Sequence, residues 1–170
     1  SYAAPETAKK VAEEAVAAGV ITTNADNAFL TVAENRSAMV FNDWSDHRVG
    51  ADIISYMNGY ADPRREKMFT KGVWNNKEDF YGIRIGIDVA NKDLFVTTYS
   101  SPVLNESSPF LWMNAAEVAF LRAEGALRGW NMGAEAKELY NSAIALSFEQ
   151  YGVSDKAADL SLIHISEPTR

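Results

Sequence analysis

Near the C-terminal end of the chain lies a pair of helix-forming segments, which limits the folds that the sequence can adopt. Asn114 begins the first segment, and Glu117 follows at the spacing of a capping box, in which the Asn side chain accepts a backbone N–H bond and the Glu can return one. Residues 129–133 interrupt the pattern. A second segment then runs to Tyr151 with an i, i+3, i+4, i+7 apolar period, and Gly152 closes it. Two amphipathic helices joined by so short a turn are predicted to pack antiparallel.

Each of these segments has a face that suits such packing. On the first, the small and apolar residues of that face are Ala116, Ala119, Phe120, Ala123 and Leu127. On the second, they are Ala136, Leu139, Tyr140, Ala143, Ile144, Ser147, Phe148 and Tyr151. Small side chains let two helix axes approach closely, so we expect Ala123 to lie in the seam between the helices.

Weaker patterns predict the secondary structure of the rest of the chain. Pro5 suits a first helical turn and Gly19 a C-cap, which predicts a helix between them. Val49, Ile53 and Met57, spaced by four, predict a second helix from about residue 46 to 58. We expect mainly loop, with short helical or extended pieces, in residues 20–46, and an irregular segment in residues 60–79.

Two short segments have the alternation of strands. Tyr81, Ile83, Ile85 and Ile87 alternate with glycine and arginine, and residues 95–99 form a second β-prone run. We expect the two to pair as a small hairpin that lies on the helices. The predicted fold class is therefore mainly α, built from helix pairs with a small β-hairpin and long loops.

Composition excludes several classes of protein. The chain has 170 residues, of which 47% are hydrophobic and 23% charged, and this balance is typical of a folded domain. Its net charge of −7 disfavours nucleic-acid binding, which needs a basic face. The absence of cysteine excludes disulfides and thiolate metal sites within this chain. We expect no cofactor and no metal site.

The last eleven residues differ in character from the rest. Residues 160–170 resemble a translated adapter of the kind that transposase-based sequencing libraries attach to DNA fragments. We expect this tail to be non-native, and the natural domain to occupy residues 1–159. Without the tail, His47 is the only histidine, which leaves no pair of histidines for a metal site or an acid–base system.

The sequence carries two resemblances. The helix pair resembles a tetratricopeptide repeat unit, in which alanines in one helix admit aromatic and apolar residues of the next. Residues 110–140 are similar to the C-terminal helical region of SusD/RagB-type proteins, residues 56–64 resemble that family's xGYxDPR segment, and residues 81–86 match its glycine-rich strand. The order and spacing agree over roughly residues 6–153.

This resemblance implies a function. SusD/RagB-type proteins are outer-membrane nutrient-binding lipoproteins of Bacteroidetes, and they are not enzymes. They lie at the cell surface against a SusC-like TonB-dependent transporter, bind oligosaccharides or other nutrients, and pass them to it. Tetratricopeptide-like helix pairs form their scaffold, and a lipid on an N-terminal cysteine attaches them to the membrane. The resemblance further implies that the chain is the later part of a protein about three times as long.

Two other functions stay open at this level. A generic tetratricopeptide scaffold would bind another protein instead of a glycan. A glycosidase would need a pair of carboxylates, for which Asp43 and Asp46 are the nearest candidates in the sequence. Such a pair is defined by its separation in space, and two acids in one loop do not establish it.

Candidate ligand residues surround two tryptophans. A sugar ring presents an apolar C–H face and a rim of hydroxyls, so a binding site combines an exposed aromatic ring with hydrogen-bonding side chains. Two clusters meet this description, and their members are Trp44 with Asn42 and Asp43, and Trp74 with Asn75 and Asn76. The alternative is that each tryptophan packs its loop onto the helices.

Other conspicuous residues are assigned to structure. Asp62, Pro63 and Arg64 favour a turn, because the proline fixes its own φ and Arg64 can pair with a carboxylate. Trp112 and Trp130 flank the first helix of the pair, where we expect them to pack. No catalytic residue is predicted.

Overall fold

The computed structural model describes residues 4–31, 43–105 and 107–156. The candidate ligand residue Asn42 and the expected non-native tail, residues 160–170, lie outside the described residues. The chain divides into two compact units. The helical unit takes its described residues from 4–29 and 111–156, and the hairpin unit takes them from 30–31, 43–105 and 107–110.

The described part of the chain is mainly α, as predicted. In chain order the elements are α1 (Pro5–Ala18), a 3₁₀ turn (Asn24–Asp26), β1 (Ala28–Leu30), α2 (Ala51–Gly59), α3 (Arg65–Met68), β2 (Gly72–Trp74), β3 (Lys77–Asp79), α4 (Lys92–Thr98), β4 (Phe110–Met113), α5 (Ala115–Leu127), α6 (Ala136–Gln150) and a further 3₁₀ turn (Ser154–Lys156). Strands β1 and β4 form one two-stranded sheet, and β2 and β3 form another.

Helix α1 matches its prediction at both ends. Pro5 opens it, and Gly19 follows its last residue with a φ of 106°, a backbone conformation that favours glycine. Ala12 and Val16 are half-buried and pack against Ala123, Met132 and Leu139, which form the core of the helical unit at this point. One face of α1 is thereby fixed on the helix pair.

The predicted cap of α5 is present. The side-chain oxygen of Asn114 accepts a hydrogen bond from the N–H of Glu117 at 2.7 Å. Asn27 adds a second cap, because its side-chain oxygen accepts from the N–H of Ala115 at 2.8 Å. Two of the backbone donors that the first turn of a helix leaves without an intrahelical partner are thus satisfied.

Helices α5 and α6 pack on each other along the alanines. Ala119 and Ala123 of α5 and Ala143 of α6 are buried, and the rings of Phe120 and Tyr140 meet edge to face with centroids 5.5 Å apart. The predicted face of α5 is wrong at Leu127, which is 80% exposed. Helix α5 instead buries residues beyond the predicted face, namely Ala115, Val118 and Gly125.

The two tryptophans beside α5 differ. Trp130 is partly buried and packs against the cluster of Ala123 and Met132, which confirms its predicted packing role. Trp112 is 66% exposed, so the expectation that it is buried by packing is wrong.

Helix α2 begins at Ala51, later than the predicted start near residue 46. The buried residues are Val49, before the helix, and Ile54 and Met57 within it, whereas Ile53 is exposed. The predicted buried face of this helix was wrong at Ile53, because the spacing of four was counted from Val49, which lies before the helix. Its N–H donates to Ser100 O at 2.9 Å, and the chain turns into the helix only after that extended contact.

The predicted strand over residues 81–87 is wrong beyond Ile83. Ile83 forms an isolated parallel bridge with Gly50, and its N–H donates to Val49 O at 2.8 Å. The chain then turns, with Gly86 at a φ of 79°, and Ile85 is 97% exposed. Within the described ranges, the alternation of isoleucines therefore continues beyond the residue that pairs with a neighbouring segment.

The predicted strand over residues 95–99 is also wrong, because these residues lie in and just after helix α4. The side-chain oxygen of Asn91 accepts from the N–H of Leu94 at 2.8 Å and caps the helix. Within α4, the hydroxyl of Thr97 donates to the carbonyl of Asp93 at 2.8 Å. A local cap outweighs the β-propensity of the run from Phe95 to Tyr99.

The small hairpin exists, but it lies in the segment that we expected to be irregular. Strands β2 and β3 pair antiparallel in residues 72–79. Gly72 is required where β2 meets α4, since a Cβ at this position would lie 2.0 Å from the carbonyl oxygen of Thr98. The core of the hairpin unit consists of Val49, Ile54, Met57, Phe69 and Phe80.

Candidate functional site

Trp44 leaves its side chain exposed while its backbone is held. The residue is 63% exposed and leads into the loop of residues 45–48. Lys92, the first residue of α4, donates from Nζ to the carbonyl oxygen of Trp44 at 2.5 Å. The same ammonium group forms an ion pair with Asp46 Oδ1 at 2.7 Å. A single lysine therefore fixes two points of the loop on the start of α4.

Arg48 holds the other end of this loop. Its Nη1 atom donates to the carbonyl oxygens of Ser45 at 3.1 Å and His47 at 2.6 Å, and its Nη2 atom donates to Val96 O at 3.3 Å. The guanidinium carbon lies 5.0 Å from the centre of the Phe95 ring, within the range of a cation–π contact. Ser45 has a φ of 53°, an uncommon value for a residue other than glycine.

The guanidinium of Arg48 is charged and makes its contacts within the protein. Burial lowers the pKa of Arg48 and the charge of Asp46 raises it, but a guanidinium stays protonated at neutral pH. Its Nε atom is buried and has no hydrogen-bond partner among the described residues. Arg48 thus contributes to loop geometry with its two terminal nitrogens and its stacked plane.

Trp74 ends the first strand of the hairpin. In the register of β2 and β3, Trp74 lies opposite Lys77, and the turn between them consists of Asn75 and Asn76. These two residues have φ values of 50° and 61°. A two-residue hairpin turn with both central residues left-handed has the handedness that matches strand twist, and asparagine adopts it more readily than most residues. The turn therefore explains both asparagines, whose side chains are exposed.

The lysine opposite Trp74 is paired within the hairpin. Lys77 Nζ lies 2.9 Å from Asp79 Oδ2. This hydrogen bond, together with the charge of Asp79, raises the pKa of Lys77. The hydrogen bond from Lys77, followed by that from the Phe80 N–H, lowers the pKa of Asp79. Trp74 itself is 49% exposed.

The two predicted clusters approach opposite ends of α4. The Trp44 loop is fixed at Lys92, the first residue of α4, and β2 approaches Thr98, the last residue of α4. Six residues of helix place these points about 9 Å apart along its axis. Asp43 accompanies Trp44 on the chain, and Asn75 and Asn76 accompany Trp74, so each tryptophan has polar neighbours of its own.

Asp62 is a structural acid, as the turn interpretation predicts. It is 4% exposed, and its carboxylate accepts from the backbone N–H of Arg64 at 2.9 Å. The Arg64 side chain donates to it as well, from Nε at 3.0 Å and from Nη2 at 2.5 Å. All of these bonds close the turn around Pro63 and leave the carboxylate no role at the surface.

Sequence reasoning missed Lys92 and Arg48. Lys92 is 48 residues from Trp44 and lies between the two segments that we predicted to be strands, so no local pattern connected it with Trp44. The capping residue Asn91 was the available signal, since it places Lys92 in the first turn of a helix. Arg48 was visible beside Trp44 in the sequence, but its partner Val96 was not.

Residues 4–31, 43–105 and 107–156 contain no group of three acidic or histidine side chains placed to hold a metal ion. Across the same ranges, every helix is too short or too polar to cross a bilayer.

The helical unit, with its capped α5, its alanine seam and α1 packed alongside, has the architecture of a tetratricopeptide-like scaffold. A family model described as SusD-like, "Susd and RagB outer membrane lipoprotein", matches residues 1–168. The chain therefore belongs to the SusD-like family. No curated protein sequence matches the chain.

Solved structures of SusD homologues agree with this assignment. A homologue from Bacteroides thetaiotaomicron is 57% identical with a TM-score of 0.85, and the match covers 92% of this chain and 33% of that protein. A SusD-like protein of the same species is 40% identical with a TM-score of 0.82 and the same coverage. A chitin-binding SusD homologue from Flavobacterium johnsoniae is 41% identical with a TM-score of 0.78, again over 92% and 33%. The chain spans about a third of the length of these relatives.

Proposed function

We propose that the protein to which this chain belongs binds oligosaccharide nutrients at the surface of the outer membrane and delivers them to a SusC-like TonB-dependent transporter. Membership of the SusD-like family supports the outer-membrane location, because that family is described as one of outer-membrane lipoproteins. The chitin-binding relative supports a glycan as the ligand. In this proposal a lipid anchor outside the present chain attaches the protein to the membrane.

The observation that carries the binding role is a tryptophan whose backbone is fixed and whose ring is exposed. Trp44 meets both conditions through Lys92, and Trp74 meets them at the hairpin turn. A packing tryptophan would bury its indole, whereas a sugar-binding one leaves the ring face open for C–H contacts. In this proposal the hydrogen-bonding neighbours of the two rings are Asn42, Asp43, Asn75 and Asn76.

Two acids of the hairpin unit are paired with basic side chains, which agrees with a non-catalytic role. The conspicuous acid of the family-like segment, Asp62, is buried against Arg64. Asp46, one member of the only acid pair that the sequence suggested, is bound to Lys92. A glycoside hydrolase needs one carboxyl group that stays protonated and a second that attacks or activates water. We therefore propose binding without cleavage.

The test is a titration of the full-length protein against a panel of neutral oligosaccharides that includes chitin, starch and xylan fragments. We expect saturable binding to at least one glycan, and chromatography of the incubated glycan should recover it intact. Binding to none of the panel would contradict the glycan assignment. Release of shorter fragments would contradict the non-catalytic role.

A protein-binding scaffold remains the second candidate, and one observation favours it. Helix α5 exposes Leu121 and Leu127 to solvent instead of burying them. Exposed leucines on a tetratricopeptide-like helix suit a protein partner better than a sugar. If Leu127→Ser leaves glycan binding intact, the glycan site does not involve this face of α5.

A further inference from the structure

We infer that Lys92 and Arg48 are positioning residues for Trp44: together they fix the loop of residues 45–48 on α4 so that the indole is held ready for a ligand. This inference rests on the proposed function, because it gives Trp44 the role of a sugar-stacking platform. Neither residue needs to touch the ligand. Their contribution is to the shape of the unliganded protein.

Lys92 acts on the start of the loop. Its ammonium group lies 2.5 Å from the carbonyl oxygen of Trp44 and 2.7 Å from Asp46 Oδ1, so it bridges the residue that carries the ring and an acid two positions later. The lysine side chain is partly exposed, and so is that of Asp46. An exposed ion pair contributes little to global stability. Its effect on the position of one loop can nevertheless be large, since the same ammonium group holds the carbonyl of Trp44 and the carboxylate of Asp46.

Arg48 acts on the end of the loop. Its donors reach the carbonyl oxygens of Ser45 and His47 on one side and that of Val96 on the other. The guanidinium also rests on the Phe95 ring. To reach three carbonyls and also stack on a ring, a side chain needs a planar group with donors on separate nitrogens. Lysine has no such group, because its donors are all on one nitrogen. The bond from Arg48 to the Ser45 carbonyl helps to hold Ser45 in its left-handed conformation.

The two residues differ in how they tolerate replacement. Arginine at position 92 can still donate to a carbonyl and a carboxylate, so Lys92→Arg should keep the loop in place. Lysine at position 48 has one point charge and cannot span the three carbonyls, so Arg48→Lys should release the loop. This asymmetry follows from the geometry of the contacts and not from charge alone.

Fixing a platform before the ligand arrives raises affinity, because the free energy of ordering the loop is not subtracted on binding. Loss of either residue should therefore weaken glycan binding through Trp44. In a protein that already carries Trp44→Ala, the same change should have no further effect on affinity. A residue that stabilised the fold in general would not show this dependence.

The first measurement is hydrogen–deuterium exchange on the full-length protein without ligand. Lys92→Ala and Arg48→Lys should each speed exchange in peptides covering residues 44–48 by about fivefold or more, and Lys92→Arg should leave it near the parent rate. The matched control is Lys10→Ala, which removes a lysine paired with Glu14 at 3.9 Å on α1. It should change nothing in that loop. Unchanged exchange in Lys92→Ala would overturn the inference.

The second measurement is a double-mutant cycle on glycan affinity, with chitohexaose and maltoheptaose as probes. Lys92→Ala should weaken binding of the probe by about 3- to 10-fold in the parent and by less than about twofold beside Trp44→Ala. An equal loss in both backgrounds would overturn the positioning role. If Trp44→Ala itself leaves affinity unchanged, the proposed platform fails, and the exchange result then decides by itself whether Lys92 and Arg48 hold the loop.

Discussion

At the scale of single residues, the structure separates acids by their surroundings. Asp62 is buried, and its carboxylate accepts hydrogen bonds from three donors of Arg64. Asp46 and Asp79 are at the surface, and each pairs with a lysine. The same residue type therefore closes a turn in one place and adjusts a loop or hairpin in another.

Replacing Asp62 with alanine should destabilise the protein by about 2–4 kcal/mol, because Arg64 would lose the carboxylate that accepts from its backbone N–H and from its guanidinium in a partly enclosed site. The estimate is below that for a fully buried pair, since the Arg64 side chain keeps some exposure. Urea denaturation of the full-length protein measures the change. Glu14→Ala, which breaks the exposed pair with Lys10, is the control and should shift stability by less than about 0.5 kcal/mol. Equal shifts for the two variants would contradict the assignment.

Asn76 lies in the hairpin turn and is also a proposed glycan-binding residue, and one substitution separates these two roles. Glycine adopts the left-handed backbone of the turn without strain, so Asn76→Gly should keep the hairpin intact. It removes an amide that we propose hydrogen-bonds the glycan, so affinity should fall by about 2- to 12-fold. Asn76→Ala should in addition cost about 1 kcal/mol of stability. Unchanged affinity in Asn76→Gly would make Asn76 a turn residue only.

At the scale of elements, the sequence predicted what is decided locally. The cap of α5 could be predicted because Asn114 and Glu117 are three residues apart, and α1 because Pro5 and Gly19 mark its ends. The strand expected over residues 95–99 failed because the cap that starts α4 lies upstream, at Asn91. The true hairpin was missed because its strands are three residues long and its turn lacks glycine.

The candidate site was predictable in part for the same reason. Trp44 and Trp74 were identified from their polar neighbours, which are adjacent in sequence. The residues that fix the Trp44 loop were not, because Lys92 and Val96 are each 48 residues away in sequence from the residue they contact. Long-range polar contacts of this kind leave no periodic trace in a single sequence.

The seam between α5 and α6 leaves no room at Ala123. It is buried beside Met132 and Leu139, so Ala123→Leu should overpack the seam and destabilise by about 1–3 kcal/mol. Leu127→Ala, on the exposed part of the same helix, should change stability by less than about 0.5 kcal/mol. Thermal or denaturant unfolding tests both. A parent-like midpoint for Ala123→Leu would mean that the two helices do not pack as described.

The ion pair between Lys77 and Asp79 should stabilise the hairpin only within a defined pH range. The pKa of Asp79 is lowered in the folded protein, so its contribution is present above the ordinary aspartate range near pH 4 and is lost as pH falls through the folded value. The pKa of Lys77 is raised, so its contribution is present below about pH 10.4 and is lost as pH rises through the folded value. We expect amide shifts of residues 72–79 to stay constant between these limits in an NMR titration.

Asp79→Asn is the control for this titration. It should abolish the change at the acid end and leave neighbouring resonances otherwise similar. An Asp79 carboxyl that titrates at or above the ordinary aspartate range would contradict the hydrogen bond from Lys77. High salt should weaken the effect, because both side chains are exposed.

At the scale of the whole molecule, the two units have different roles in the function that we propose. The helical unit builds a tetratricopeptide-like scaffold from α1, α5 and α6, and its buried seam consists mainly of small residues. The hairpin unit carries the two exposed tryptophans on a loop and a turn. Both units lie within the match to the SusD-like family, and the matched relatives extend over about three times the length of this chain.

The proposal that Trp44 and Trp74 stack on the glycan is tested by isothermal titration of the full-length protein, as parent, Trp44→Ala and Trp74→Ala, against the glycan that the panel identifies. We predict that each substitution weakens binding by about 1–3 kcal/mol, roughly 5- to 150-fold, with the denaturation midpoint nearly unchanged. If both tryptophans serve packing instead, each substitution will destabilise the protein by about 3–5 kcal/mol and leave the affinity of the folded protein intact. Unchanged affinity in both variants would contradict the claim and place the binding site outside this chain.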